Sequence, residues 1–250
     1  MFDLTKENIL VTGASKGIGK AIATHLIDNG ANVALHYNTD KFGAKSILNE
    51  GDDARLFQAN LEETKEVAKL FNNVLDAFSR IDTIVLNAGI YREHPIDQPL
   101  NDWLSVWNST IRINLDSVGI LTKLALEHFR ANGGGRLIYI GSRAVFRGET
   151  EEYLAYAASK GGITSLARTV ARSFGKDNIK SFVIAPGFTK TQMAASFIDK
   201  YGENKIIDEL SLNQLTEPHH IAPLVALMCS GLMDHATGST IDMNAGSHIR

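Results

Sequence analysis

The chain has 250 residues, 44% of them hydrophobic, enough to bury one large core in a single α/β domain. Its 25 Lys and Arg stand against 28 Asp and Glu, a net charge of -3, and no basic run is long enough to track a phosphate backbone, so no nucleic-acid partner is expected. One cysteine, Cys229, excludes a disulfide framework and a cysteine-rich metal site. Without a signal-type leader or an apolar stretch of about 18 residues, the expectation is a soluble, cytoplasmic protein with no membrane segment and no metal.

Apolar, β-rich runs alternate with helical patterns along the whole chain. The first strand, 8–12, leads into a glycine-rich turn and a helix over 18–29 that Gly30 stops. A strand at 32–37 precedes a helix over 41–49, and one at 54–59 precedes a helix over 64–78. The fourth strand, 82–87, is followed by the longest helical pattern, around 102–130. The fifth, 136–141, leads to a helix over 154–174; after the sixth, 180–185, come a helix over 218–229 and a last strand at 240–243. Nearly continuous apolar strands imply a sheet covered on both faces. The alternation predicts an α/β, doubly wound, seven-stranded parallel sheet of Rossmann type, helices on both faces, in one domain over 1–250. The stretch 189–215, poor in strand signal, reads equally as a helical hairpin or as a lid over a pocket.

Between the first strand and first helix runs Thr12-Gly-Ala-Ser-Lys-Gly-Ile-Gly19. Gly13 permits a tight turn, Gly17 keeps side chains away from a pyrophosphate, and Gly19 lets helix and strand approach. Amides at the helix start point outward and favour an anion, so Ser15, Lys16 and Ile18 belong with the glycines to a phosphate-type loop. The same residues match G-x-S-x-G, the nucleophile elbow of serine esterases, with Ser15 as nucleophile. That alternative lacks an earlier strand to supply an oxyanion hole, because only twelve residues precede Gly13.

Ser142 ends the fifth strand, Tyr156 follows 14 residues later, and Lys160 lies one helical turn beyond it. An ammonium beside a phenol favours the phenolate, which predicts a Tyr156 pKa below the usual value near 10. A phenol so tuned is a usable acid near neutral pH, and a neighbouring hydroxyl can hold the same substrate oxygen. Tyr153 has no such partner, since its i+4 residue is Ala157. The grouping points to carbonyl/alcohol redox chemistry.

With these motifs assembled, the chain resembles the short-chain dehydrogenase/reductases from residue 8 to residue 246, and within them the 3-oxoacyl-acyl-carrier-protein reductase branch. The glycine loop, Asn87-Ala88-Gly89, Ile113-Asn114-Leu115, Ser142, Tyr156, Lys160, and Ala185-Pro186-Gly187 with Thr191 carry the resemblance. It implies that Tyr156 protonates the alkoxide, Ser142 bonds the same oxygen, Lys160 serves both tyrosine and nicotinamide ribose, and Asn114 holds a water linking Lys160 to solvent. Asn60, with Leu61 beside it, would meet adenine. Asn87 would touch cofactor or tie strands together, and Thr191 would hold the carboxamide or cap a helix. The implied substrate is a small carbonyl compound or acyl thioester, with an acyl carrier protein as partner; another ketone or hydroxy substrate, or a non-catalytic cofactor-binding role, are the alternatives. The implied assembly is a homotetramer through the long helix and the helix over 154–174.

Several positions depart from the family pattern. Asn60 stands where Asp is common, Leu86 replaces an Asn, Phe182 an Asn and Ala245 a Gly. Gly133 and Asp177 fall where carrier-protein reductases often carry basic residues, although Arg130, Arg172 and Lys176 lie near in sequence. The second strand ends His36-Tyr37-Asn38, with neutral Tyr37 where an acid would hold a ribose hydroxyl. With Lys16 and Asn38 to meet a 2′-phosphate, the expectation is NADP(H) over NAD(H), opposed by Asp40 if it folds inward. His219 and His220 at a helix start read as solvated, Trp103 and Trp107 as core or subunit contact, and 149–152 as a solvated loop bordering the pocket.

Overall fold

Ile9, Leu10 and Val11, like Ile84, Val85 and Leu86, are buried whichever way their side chains point, the condition of a strand covered on both faces. The computed structural model describes residues 3–192, 194–195 and 202–250. Its strands β1 (Asn8–Val11), β2 (Asn32–Tyr37), β3 (Ala54–Gln58), β4 (Thr83–Leu86), β5 (Gly135–Ile140), β6 (Ile179–Pro186) and β7 (Thr240–Met243) are all parallel. They lie in the order β3-β2-β1-β4-β5-β6-β7, the sheet expected from the alternating pattern. The order reverses between β1 and β4, which opens a crevice at their C-terminal ends.

Helices α1 (Gly17–Asp28), α2 (Lys41–Lys45), α3 (Thr64–Phe78), α4 (Leu100–Ile111), α5 (Ser117–Ala131), α6 (Ala144–Arg147), α7 (Leu154–Phe174), α8 (Glu203–Ile207) and α9 (Pro218–Cys229) connect the strands. On one face, Ile22, Ala23 and Leu26 of α1 and Ile221, Ala222 and Val225 of α9 pack over Val11, Val33 and Ile138. On the other, α3, α5 and α7 bury Leu70, Leu121, Phe129, Ile163, Ala167 and Val170 against Leu10, Ile84 and Leu137. The apolar stripe of α7 therefore packs on the protein's own sheet. It lends no support to a subunit contact.

Three local features differ from expectation. The helical run expected near 102–130 is interrupted by a π turn, Arg112–Asp116, between α4 and α5. α2 ends at Lys45 rather than running to residue 49; Gly43 is a poor helix former, and the Ser46 hydroxyl donates to the Gly43 carbonyl at 2.7 Å. The short helix α6 stands between β5 and the helix over 154–174, where the sequence pattern predicts no element. Of the stretch 189–215, residues 193 and 196–201 lie outside the described residues, so the lid expectation falls partly on them. The described part contains α8 and a bridge pairing Thr189 with Thr216.

Candidate active site

A cleft of about 520 Å³ opens at the C-terminal ends of β1, β4, β5 and β6. It is lined by Gly13, Ser15, Lys16, Gly17, Ile18, Gly19, Asn38, Asn60, Leu61, Asn87, Ala88, Gly89, Ser142, Tyr156, Lys160, Pro186, Gly187 and Thr191. Every candidate site residue except Asn114 thus faces one space. Asn114 stands behind the wall, with only its neighbour Ile113 lining the cleft.

The glycine loop is set by backbone constraints. Gly13 and Gly17 adopt φ of 69° and 56°, the left-handed region that side chains disfavour. A Cβ at Gly19 would sit inside the envelope of the Gly13 carbonyl oxygen, and one at Gly13 would come 3.0 Å from Ala88 Cα. Thr12 Oγ1 accepts from the amides of Asn87 and Ala88 at 2.9 and 3.0 Å, which joins the ends of β1 and β4. The Asn87 amide donates to the Thr12 carbonyl at 2.8 Å, so Asn87 ties the two strands while also lining the cleft.

His36 is a part of this loop that sequence reasoning missed. Its Nδ1 accepts from the Gly13 amide at 3.0 Å, which leaves Nε2 to donate to the Ala59 carbonyl at 3.1 Å. Burial pushes its pKa down to about 4, partly offset by the bond to Ala59, so the ring is neutral at ordinary pH. With both ring nitrogens engaged, His36, which lines the cleft, is not a base for Ser15, and this counts against the esterase reading. α1 begins with no side-chain cap and no acidic residue in its first turn, so its leading amides are free for an anion. A glycine cradle that a Cβ would fill, before an uncapped helix start, fits the pyrophosphate of a dinucleotide.

At the other end of the cleft, β5 delivers Ser142 and α7 delivers Tyr156 and Lys160. Tyr156 is half-buried. Crowding around it pushes its hydroxyl up to about 12, against the lowering effect of a hydrogen bond from Ser142; Glu149 adds a raising contribution. Lys160 Nζ lies 5.7 Å from the Tyr156 ring centroid and donates to the Ile140 carbonyl at 2.7 Å. Burial lowers Lys160 to about 8. The expected lysine-driven lowering of Tyr156 is therefore overturned in this geometry: desolvation of the phenolate outweighs a lysine whose own charge burial disfavours.

Asn114 occupies the π turn, where the extra residue turns its side chain toward the 90–91 segment. Oδ1 accepts from the Ile90 amide at 2.8 Å, and Nδ2 donates to the Ile90 carbonyl at 3.0 Å and to Ser159 Oγ at 3.2 Å. Its amide hydrogens are both used, leaving one lone pair of Oδ1 for any water. Tyr91 follows directly. Its ring meets Tyr156 edge-on at 4.7 Å and stacks on Tyr153 at 3.8 Å, forming an aromatic wall with no clear pattern in the sequence. His94 holds this wall to α7 by accepting from the Ala155 amide at 3.0 Å, while Trp103 and Trp107 stack on one another and against His94.

The remaining residues take modest roles. Thr191 stands just before a helical turn, its carbonyl accepting from Ala194 at 3.0 Å. Lys16 Nζ donates to Gln192 at 3.2 Å. Asp40 lines the cleft and caps α2 by accepting from Gly43 at 2.8 Å. His220 completes a capping box with Glu217. Among the described residues no group of His, Cys, Asp or Glu is placed to hold a metal ion, and no helix is long and apolar enough to cross a membrane.

Comparison with known proteins gives this arrangement a family. A model described as Enoyl-(Acyl carrier protein) reductase matches residues 13–248. The 3-oxoacyl-[acyl-carrier-protein] reductase FabG of Salmonella typhimurium is 32% identical over 241 residues, 96% of each chain. The chain belongs to the short-chain dehydrogenase/reductase family. The 3-oxoacyl-[acyl-carrier-protein] reductase of Synechocystis is similar to the same degree, 32% over 251 residues and 98% of each chain. Among solved structures of short-chain dehydrogenases, one provisionally assigned as an NAD(P)-dependent gluconate 5-dehydrogenase from Beutenbergia cavernae, with NADP at low occupancy, superposes with a TM-score of 0.90. It is 28% identical and covers 98% of both chains. One provisionally assigned as a gluconate dehydrogenase from Agrobacterium tumefaciens gives 0.89 at 26% identity, covering 98% of this chain and 97% of its own. As a short-chain dehydrogenase/reductase, the protein is an NAD(P)-dependent oxidoreductase acting on CH–OH or C=O groups.

Proposed function

We propose that the protein reduces a ketone, or oxidises the corresponding secondary alcohol, with Tyr156 as the proton donor. The observation that carries this reading is that Ser142, Tyr156 and Lys160 line the same cleft as the glycine loop, which suits two hydroxyl donors to one substrate oxygen beside a bound dinucleotide. The nicotinamide cofactor, when bound, would supply a hydride in its reduced form and accept one in its oxidised form. Gly13, Ser15, Gly17, Ile18 and Gly19 would hold its pyrophosphate; Asn38, Asn60, Leu61 and Ala88 its adenosine half; Gly89, Lys160, Pro186, Gly187 and Thr191 its nicotinamide half. Tyr156, protonated at neutral pH, gives its proton to the developing alkoxide. Lys160 holds the ribose and restores that proton, and Asn114 positions Ile90 and Ser159 around the lysine. The whole of 1–250 acts as one domain, with 189–215 as its substrate lid.

The named relatives suggest a 3-oxoacyl thioester on an acyl carrier protein as substrate. Arg130, one of the basic residues near the expected docking position, is paired with Asp177 at 2.7 Å, which weakens its pull on an acidic carrier. A second reading, a small polar oxo or hydroxy acid, is favoured by the charged side chains Arg143 and Glu149 in the cleft. NADP(H) is the proposed cofactor over NAD(H), because Tyr37 leaves no acid at the end of β2. A homotetramer is proposed from the resemblance, with exposed Ile96, Leu100 and Leu104 at the start of α4 as its apolar contact; a monomeric mass in light scattering would remove it.

Tyr156→Phe tests the assignment. Turnover is expected to fall at least a hundredfold, about 2.7 kcal/mol in transition-state terms, with cofactor affinity nearly unchanged. Lys160→Ala should lower both. A Tyr156→Phe enzyme keeping more than about a tenth of the rate would contradict the proton-donor role.

A further inference from the structure

Arg143 follows Ser142 directly and lines the same cleft, yet only 5% of its side chain is exposed. A buried guanidinium needs acceptors for its five N–H bonds. Its Nη1 is shut away from solvent with no hydrogen-bond partner. Its Nη2 reaches Glu209 only at 3.9 Å, beyond hydrogen-bond length, and Glu209 is half-exposed and shared with Arg147 at 3.3 Å. The ring of Phe188, 5.6 Å away, supports the cation from one side but accepts no hydrogen bond in its plane. Burial and the neighbouring Arg147 charge both disfavour this cation, and Glu209, Glu149 and Tyr91 only partly offset them. The residue is an incompletely satisfied charge next to the proposed substrate oxygen site, and each such buried group calls for a partner.

We propose that Arg143 binds a carboxylate of the substrate, so that the molecule reduced at Tyr156 is a small oxo acid. This rests on the reductase reading for the carbonyl but not for the carboxylate. A carboxylate offers two in-plane acceptors that match the guanidinium fork, which a neutral amide or ester does not. Glu149, half-buried and lining the cleft, provides an acceptor for substrate hydroxyls. Glu209, just past α8, ties that segment to α6 through Arg147 at 3.3 Å.

The test is binding by titration calorimetry to the full chain, with and without saturating NADP, using gluconate and 3-hydroxybutyrate against their neutral amides. At least one acid is expected to bind tenfold or more tightly than its amide. Arg143→Gln should erase that difference, and Arg143→Lys, which keeps the charge without the fork, should retain part of it. Tyr156→Phe should keep the full acid preference although turnover is lost. Equal binding of acid and amide to the unmodified protein, including no binding of either, overturns the proposal, as does an acid preference that survives in Arg143→Gln. If the preference stands but no carbonyl is ever reduced, the reductase reading fails and the carboxylate site remains.

Discussion

The two ends of the cleft are built by different means. The end proposed for the dinucleotide is shaped by backbone: two glycines at positive φ, a third packed on a carbonyl, and bonds from Thr12, His36 and Asn87 that fix strand ends against one another. The end proposed for the substrate is shaped by side chains from separate segments: Tyr91 after β4, Arg143 and Glu149 after β5, and Phe188 after β6. A backbone-shaped site admits one ligand geometry and tolerates little change. A site made of side chains can be re-specified by a few substitutions, so the first end carries the family's shared chemistry and the second carries what distinguishes this chain.

That contrast can be broken most severely at Gly19. Gly19→Ala puts a methyl group into the Gly13 carbonyl, so dinucleotide affinity measured by fluorescence titration should fall more than a hundredfold; a change under threefold would show the cradle to be soft. Ser142→Ala touches only the other end. It should lower kcat by about a hundredfold, in line with the loss of one donor to a developing oxyanion, while the cofactor Kd stays within twofold. A shift in cofactor affinity equal to the loss in rate would blur the division between the ends.

His36 sharpens the comparison through pH. Its folded pKa, about 4, is depressed below the unfolded value of 6.5, so its contribution to stability is fully present above pH 6.5 and is lost as pH falls toward 4. The loss is on the order of 3 kcal/mol at most, read as a falling denaturation midpoint, and dinucleotide binding should weaken over the same window as the latch on Gly13 opens. His36→Gln, which has no proton to gain, should flatten that part of the profile; an unchanged profile would remove the latch. The smallest effect is expected at Lys16, whose ammonium is exposed and already bonded to Gln192. kcat/KM should favour NADPH over NADH, and Lys16→Ala should narrow the ratio only a few-fold, about 1 kcal/mol. A ratio favouring NADH would point instead to Asp40.

How much was legible in the sequence follows the same division. The sheet could be read because strands covered on both faces must be apolar throughout, and the glycine loop because Gly13, Gly17 and Gly19 have no substitute where φ is positive or the backbone is tightly packed. Ser142, Tyr156 and Lys160 were legible because strand end and helical turn fix their spacing. His36 escaped notice because its role depends on meeting the Gly13 amide across a strand, which no local pattern records. Arg143 is an ordinary charged residue in sequence and becomes informative only once it is seen buried without acceptors. The pKa of Tyr156 was misjudged for a related reason: spacing gives the neighbour but not the desolvation around it. The π turn at Asn114 likewise depends on tertiary bonds to Ile90 and Ser159.

The central claim is that this cleft reduces a carbonyl by protonating its oxygen from Tyr156. The measurement that meets it most directly is the yield of secondary alcohol per reduced cofactor consumed, taken over a set of oxo acids and acetoacetyl thioesters with the unmodified protein and with Tyr156→Phe. One alcohol per cofactor for at least one substrate, reduced at least a hundredfold in rate by Tyr156→Phe while that variant still binds cofactor, is the predicted result. Cofactor bound without alcohol formed from any of them, or alcohol formed equally well without the Tyr156 hydroxyl, would contradict it.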